Sequence, residues 1–207
     1  MSDLRALADI TVEQGNRRDQ LTGVLLAKTP ASVRLEALSP FGQPFLLVTI
    51  HDDRLTAYNV AANEATVGPA TAETAARLLK LPFDPDDLVG ILAGRAVPPK
   101  DLRQAAILPP DARGPSLSMV GPLNEQRVWM NFQTGVVQQI QIIGGRIDAR
   151  VAYDRDEAGS LKGFNLTAAQ SWLTGTVRYR DVVENGGVDA ERFAFSVPKG
   201  AKIHEIR

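Results

Sequence analysis

Two histidines, a few clustered acids and no cysteine define the chemistry open to this chain. His51 stands beside Asp52 and Asp53, a grouping that could provide a general base backed by a carboxylate, although the same three residues also make an ordinary solvated turn. His204 lies among charges near the C-terminus. Asp84-Pro85-Asp86-Asp87 offers oxygens to a cation but lacks the alternating ligand ladder of a calcium loop. Its order instead fits a helix start, with a capping acid, a proline at the first position and acids in the first turn. Asp154-Arg155-Asp156-Glu157 could hold a cation or form a solvated hairpin tip. The absence of cysteine from all 207 residues excludes disulfides, thiolate metal sites and a cysteine nucleophile. There is no glycine-rich phosphate loop, no G-x-S-x-G and no His/Glu metal helix. The expectation is therefore no catalytic site, no metal and no cofactor.

Charge excludes a further class. With 23 basic and 24 acidic residues the net charge is −1, which supplies no field to draw nucleic acid. Trp129, Phe132 and Tyr179 are too few for a stacking platform, and the neighbouring Arg127, Arg178 and Arg180 are balanced by acids elsewhere. No apolar run approaches the roughly 18 residues that a spanning helix needs. The N-terminus MSDLRALADI lacks a charged-then-apolar export signal.

The elements that would carry any site are mostly strands. Ala31–Asn59 reads as a three-stranded meander. Val33, Leu35 and Ala37 alternate with Ser32, Arg34 and Glu36, Ser39–Pro44 breaks the pattern with two prolines and a glycine, and FLLVTI (Phe45–Ile50) is apolar on both faces, so it needs cover on both. Asp3–Ile10 carries Leu4, Leu7 and Ile10 at helical spacing and predicts a short leading helix. Gln20–Lys28 and Ala61–Val67 read as strands. Thr71–Arg95 changes texture. Thr71 can cap a helix over Ala72–Leu81 that Pro82 stops, and Asp84 and Pro85 start a second helix that ends at Gly94. Asp101–Gly114 reads as irregular, with a helical turn available at Leu102–Leu108. Strands return at Ser116–Val120, Arg127–Gln133, Val136–Ile143, Arg146–Tyr153, Phe164–Ala169, Thr174–Arg180 and Phe193–Val197, separated by Gly- and Asn-rich turns.

These elements predict a mainly β (α+β) single domain over residues 1–207. A curved antiparallel sheet of about ten to eleven strands would form an unclosed barrel, with a short helical lid at 71–95. Such a sheet tends to enclose a cavity. Lined by Leu, Val and Ile without a catalytic group, that cavity suits an acyl chain or another lipid.

The sequence resembles the LolA/LolB superfamily of lipoprotein-localisation proteins, and within it the outer-membrane receptor LolB. Pro40-Phe41-Gly42-Gln43 is similar to the family's Pro-apolar-Gly-Gln turn. Leu92, Gly94 and Pro98 approximate its Leu-Gly-x-Pro-like segment, and FAFSVPKGA (Phe193–Ala201) is similar to its closing strand. Val89 and Ile91 stand where the receptor often carries a Trp. The resemblance implies acyl lipid or lipoprotein acyl chains as ligand, a periplasmic carrier protein and the outer-membrane surface as partners, and no nucleic acid. It also implies a location in the periplasm or on the periplasmic face of the outer membrane, with lipid anchoring through a segment outside this sequence. Alternation would then place Leu35, Leu47, Trp129 and Phe132 in the cavity wall, with Leu78, Leu88 and Leu92 closing it. Pro40, Phe41 and Gly42 would form a membrane or cargo-transfer loop. The alternative is a structural envelope lipoprotein or assembly scaffold, whose filled barrel binds a protein.

Overall fold

The computed structural model describes residues 2–206 except 82, 146, 170 and 171. The expected helix stop at Pro82 and the expected strand start at Arg146 lie outside the described residues. The elements in order are β1 (Asp3–Gln14), β2 (Arg17–Lys28), β3 (Ser32–Leu38), β4 (Pro44–His51), β5 (Arg54–Asn59), β6 (Glu64–Pro69), α1 (Ala72–Leu79), α2 (Pro85–Leu92), β7 (Gln104–Asp111), β8 (Gly114–Val120), β9 (Asn124–Met130), β10 (Val137–Gly144), β11 (Ala149–Arg155), β12 (Leu161–Ala168), β13 (Leu173–Glu184) and β14 (Lys202–Glu205). All fourteen strands belong to one hydrogen-bonded order, β14-β6-β5-β4-β3-β2-β1-β13-β12-β11-β10-β9-β8-β7. The sheet has two edges, β14 and β7, and does not close. The protein is mainly β with two short helices, as expected.

The strand number exceeds the expected ten to eleven, and each difference has a physical reason. Asp3–Ile10 is the start of strand β1, not a helix. Leu4, Ala6 and Ala8 are buried at 0, 2 and 0% exposure, so the period of two decides, while Leu4, Leu7 and Ile10 satisfied the helical period by coincidence. Lying between β2 and β13, the segment finds hydrogen-bond partners on both sides, which overrides a weak local helix preference. The stretch expected to be irregular contains β7. Pro109 and Pro110 are tolerated there because β7 is an edge strand, where a missing N–H interrupts no inner ladder. β14 is a four-residue exposed strand paired parallel to β6, too short and too polar to show periodicity. Phe193–Val197 is not a strand: a 3₁₀ turn at Ala190–Phe193 leads into extended chain without a ladder.

The residues fall into two compact units. The first comprises the chain up to Asp9, Leu21–Ala93 and the chain from Tyr179 on, and the second comprises Ile10–Gln20 and Gly94–Arg178. In the first unit, register sorts side chains onto two faces, because directly paired residues of antiparallel strands project together. Leu25, Leu35, Val48 and Ala57 form one cross-strand row, and Ala27, Val33, Ile50, Leu55 and Gly68 form the next on the same face. On the opposite face Leu26, Arg34, Thr49, Thr56 and Val67 form one row, and Glu36, Leu47, Tyr58 and Ala65 the next.

Each face has its own cover. A Cβ placed on Gly68 would meet Thr74 of α1 at 3.0 Å, so α1 lies over the Leu35 face, and α2 lies against β3. The opposite face is covered by residues 188–201. Phe193 packs with Leu26 and Val188, and its ring stacks on His51 with centroids 6.1 Å apart. Phe195, Val197 and Ala201 pack on Leu47, Tyr58, Ala65 and Val67.

The second unit also has two chemically distinct faces. Ile142, Ala149, Ala168 and Leu173 make a buried apolar row, whereas the adjacent row of Gln141, Arg150, Thr167 and Thr174 is polar and faces outward.

Candidate functional site

The helical cover of the first unit begins with a specific cap. Thr71 has extended backbone and its Oγ1 accepts from the Thr74 N–H at 3.2 Å, which satisfies one of the open donors of α1. Ala72, Thr74 and Ala75 are buried, and Leu78 and Leu79 are half-buried. Asp84 occupies the cap position of α2 and Pro85 its first turn, although the Asp84 side chain makes no capping bond. Leu88, Val89 and Ile91 are 7, 1 and 4% exposed, so α2 is pressed down on apolar neighbours along this side. The Leu92 side chain is half-buried, and its carbonyl accepts from the Tyr179 hydroxyl at 2.8 Å. That bond comes from β13 of the same unit and pins the C-terminal end of the lid.

Gly94 follows with φ +66°, and a Cβ there would meet Arg155 Nη2 at 2.6 Å. Within the second unit the Arg155 guanidinium donates to the carbonyls of Gly94 (2.9 Å), Val137 (2.9 Å) and Gly159 (3.0 Å). The positive φ favours glycine at this position, and a Cβ would also crowd the guanidinium that bonds to the Gly94 carbonyl.

The seven residues expected to line one cavity do not share one surface. Leu35 lies on the helix-covered face, and Leu78, Leu88 and Leu92 belong to the helices. Leu47 pairs with Glu36 and lies on the opposite face, beneath Phe195 and Val197. The apolar run of β4 concealed this, since a register read from such a run slips by one residue without any sign.

Trp129 and Phe132 belong to the second unit. Trp129 is 1% exposed, yet it sits on the polar side of its sheet, paired with Ser116 and Gln139. Arg127 stacks on the indole at 4.5 Å and Arg113 at 5.5 Å, and the indole N–H donates to Asp111 at 3.0 Å. Arg127 also donates to Asp111 at 2.9 Å and to the Ser116 hydroxyl at 2.9 Å. The Arg113 backbone N–H foremost, with the indole and the neighbouring arginine charges, holds the Asp111 carboxyl below the usual carboxylate range, against an opposing effect of burial. This cage staples the edge strands β7–β9. Phe132 lies beyond β9 at 42% exposure.

Ser39–Pro44 forms a tight projection. Gly42 N donates to Ser39 O at 2.8 Å and Ser39 N to Gln43 O at 2.8 Å, while Gly42 adopts φ +77°. The turn lifts Pro40 and Phe41 to its tip, and Phe41 is 93% exposed. Phe45 (42%) and Val60 (41%) stand exposed at the same end of the unit, joined by a 3.0 Å bond from Val60 N to Phe45 O. Sequence reasoning found the tip but not these two flanking residues, which a turn-level reading could have added from the lone apolar positions beside the breaks.

The residues weighed for chemistry have structural partners. His51 Nδ1 lies 3.1 Å from Ser32 Oγ and its Nε2 3.4 Å from Asp52, with Phe193 against the ring. Asp156 Oδ1 accepts from the N–H groups of Ala158 and Ser160 at 3.1 and 2.9 Å, which shapes the hairpin tip. Those backbone bonds, Ser160 foremost, keep the Asp156 carboxyl below its ordinary range, assisted by Lys162. Among the described residues, no three His, Asp or Glu side chains gather as a metal-binding group.

The second unit contains an open pocket of about 450 Å³ lined in part by Gln141, Asp148, Arg150, Thr167, Trp172 and Thr174. No residue of the expected cavity set borders it, and the sequence carried no mark of it beyond the lone Trp172.

Comparison with known proteins places this geometry in a fold. No family model and no curated protein matches the chain. Among solved structures, a DUF1329 family protein from Desulfovibrio piger superposes with a TM-score of 0.62 at 11% identity, covering 93% of this chain and 90% of that one. A LolA superfamily protein from Nitrosomonas europaea gives 0.59 at 11% identity over 94% and 90%. A putative outer membrane lipoprotein-sorting protein domain from Vibrio parahaemolyticus gives 0.58 at 10% identity over 93% and 89%. At these identities the likeness is one of fold, and the fold is LolA-like.

Proposed function

We propose that this protein is a non-catalytic lipid- or lipoprotein-binding protein of the bacterial envelope. Acyl chains would be held between the sheet of the first unit and its helical lid. The observation that carries this reading is a continuous apolar sheet face roofed by two eight-residue helices. Helices this short are marginal in water and owe their order to the surface beneath them. A cover of that kind can lift without unfolding the sheet. Leu35 on the sheet and Leu78, Leu88 and Leu92 on the lid are the lining we assign. Each buried methylene of a ligand contributes about 0.8 kcal/mol, so a partly inserted chain is already held firmly.

The fold shared with a LolA superfamily protein and a lipoprotein-sorting domain supports the envelope setting. In a receptor-like role, cargo would arrive from a periplasmic carrier, and the loop of Pro40, Phe41 and Gly42 would meet the outer-membrane surface. The natural protein would act in the periplasm or at the periplasmic face of that membrane, held there by a lipid anchor.

Native mass spectrometry of protein purified from cells, followed by lipid extraction, tests the proposal. A co-purifying acyl lipid at near-stoichiometric level is the expected result. Apo protein that also fails to bind a fluorescent fatty acid would sink it. That outcome would favour the second reading, a filled scaffold that binds a protein, for which the deep burial of Leu88, Val89 and Ile91 is the supporting observation.

A further inference from the structure

One end of the second unit carries exposed apolar side chains from four separate stretches of chain. Leu123, in the β8–β9 connection, is 80% exposed; Ile143, at the end of β10, 43%; Trp172, in the β12–β13 connection, 83%; and Leu102, before β7, 44%. The end is continuous. Gly144 pairs with Asn124, next to Leu123. The Gly144 N–H donates to Asp148 Oδ1 at 2.7 Å, Ala169 N–H to the Asp148 carbonyl at 3.2 Å, and Trp172 N–H to the Ala169 carbonyl at 3.4 Å. On the other side Arg103 N–H donates to the Val120 carbonyl at 2.8 Å, which brings Leu102 to the same end. A soluble surface spreads single apolar side chains; large aliphatic and indole groups gathered on loop tips mark contact with something apolar.

Polar groups behind the tips identify that something. The open pocket of about 450 Å³ begins beside Trp172 and is walled by Arg150, Gln141, Thr167 and Thr174. Arg150 is exposed and, among the described residues, its side chain has no hydrogen-bond or ion-pair partner, and the same holds for Arg103. Of the carboxylates at this end, Asp148 receives the Gly144 N–H and Glu125 the Ser118 hydroxyl at 2.7 Å, while Asp101 stands exposed beside Leu102. Apolar tips, an indole at their edge and unpaired guanidinium groups one layer behind reproduce the layering of a membrane interface: acyl region, interfacial belt, phosphate. A protein groove would leave Arg150 to find a matching carboxylate, whereas an anionic bilayer presents phosphates at that depth over its whole surface.

We propose that this end of the second unit docks on the surface of a phospholipid bilayer containing anionic lipid. Leu123, Ile143 and Trp172 enter the headgroup layer, and Arg150 binds lipid phosphate at the mouth of the pocket. The contact is separate from acyl-chain binding under the lid of the first unit and does not depend on it.

The chain has only two tryptophans, one buried at 1% and one exposed at 83%, so the full-length protein carries its own reporter. Vesicles of phosphatidylcholine alone and of phosphatidylcholine mixed with phosphatidylglycerol are added, and emission and co-sedimentation are followed. The expected result is a blue shift and sedimentation with the mixed vesicles, with the shift lost in Trp172→Phe. Arg150→Gln should weaken binding about fivefold, the usual contribution of one cation near an anionic surface, and Leu123→Asp should abolish it. All three positions are exposed, and an unchanged thermal midpoint confirms that the variants fold. Binding that survives Leu123→Asp but is lost in Phe41→Asp would move the contact to the first unit and overturn the proposal. No sedimentation with either vesicle would also overturn it and leave a protein as the occupant. Neither failure touches the acyl-chain reading, which lipid extraction decides on its own.

Discussion

The two faces of the sheet in the first unit are covered in opposite ways. The Leu35 face lies under two short helices that pack on it through buried apolar side chains, with a threonine cap opening α1 and a bond from Tyr179 to the Leu92 carbonyl at the end of α2. The Leu47 face lies under residues 188–201, which are fastened by charge. Arg34 donates to the carbonyls of Arg192 and Ala194 at 3.0 and 3.3 Å, and Lys28 to that of Val188 at 2.6 Å. The segment then ends in β14, zipped to β6. Non-directional packing can be exchanged for a ligand of similar surface, but directional bonds to fixed carbonyls cannot. Under the proposed function, this difference makes the helical cover the one that would open and the C-terminal cover part of the frame.

The sharpest way to break this comparison is to charge the helical cover. Leu88→Asp combined with Leu92→Asp should abolish binding of a fluorescent fatty acid while leaving the strand signal in circular dichroism intact. Unchanged binding would show that the ligand does not lie under the helices. The corresponding insult to the other cover should damage the frame itself. Phe193 is fully buried, and Phe193→Ala should cost about 3–5 kcal/mol in denaturant unfolding, with fatty-acid affinity lost only in proportion to unfolded protein.

A smaller loss is expected when the strap is untied without opening a cavity. Arg34→Met removes two bonds to carbonyls and the 2.7 Å ion pair with Glu36, and should cost about 1.5–3 kcal/mol. On the lid side, Tyr179→Phe deletes one hydroxyl bond, for about 0.5–1.5 kcal/mol. It should also speed fatty-acid uptake in stopped flow; an unchanged uptake rate with the same stability loss would mean the lid does not lift at that end.

The weakest handle acts on both covers alike, through the sheet they share. Asp9 accepts from the Thr22 hydroxyl at 2.6 Å and pairs with Arg180 at 2.6 Å, linking β2, β1 and β13. The Thr22 bond and then Arg180, against desolvation, hold its carboxyl below the ordinary value. A carboxyl lowered by folding stabilises above its unfolded pKa of about 3.9, and that contribution is lost as pH falls through the lower folded value. Asp9→Asn should therefore flatten part of the stability decline below about pH 4 and leave the neutral-pH ranking of the other variants unchanged.

Much of this architecture was legible because strand alternation and turn chemistry are local. β2 to β6, β8 to β13 and both helices announced themselves through period, cap or glycine turn, down to Asp84-Pro85 opening α2 and Gly94 closing the lid. Where the sequence misled, two physical demands were both satisfied locally and only one globally. Leu4 belongs both to the buried period-two set with Ala6 and Ala8 and to a plausible helical stripe with Leu7 and Ile10, and the sheet's open hydrogen bonds chose between them. Phe193–Val197 looks like a strand by composition, yet it serves by laying Phe193, Phe195 and Val197 onto side chains of the first unit's strands without any ladder. The site was legible only in part. The lid leucines and the Phe41 tip could be named from sequence, but Leu47 and Trp129 could not be oriented. An apolar run such as FLLVTI carries no alternation, and a tryptophan caged by arginines looks from sequence like any other core residue.

Composition and periodicity by themselves determined a cysteine-free, nearly neutral β protein with a two-helix cover. Only tertiary structure decided which face each side chain serves, which segment covers each face of the first unit, and that Leu102, Leu123, Ile143 and Trp172 meet at one end. The physical reason is range. Turns, caps and alternation act over a few neighbouring residues, whereas strand register and the meeting of loops depend on pairings between segments tens of residues apart in the chain.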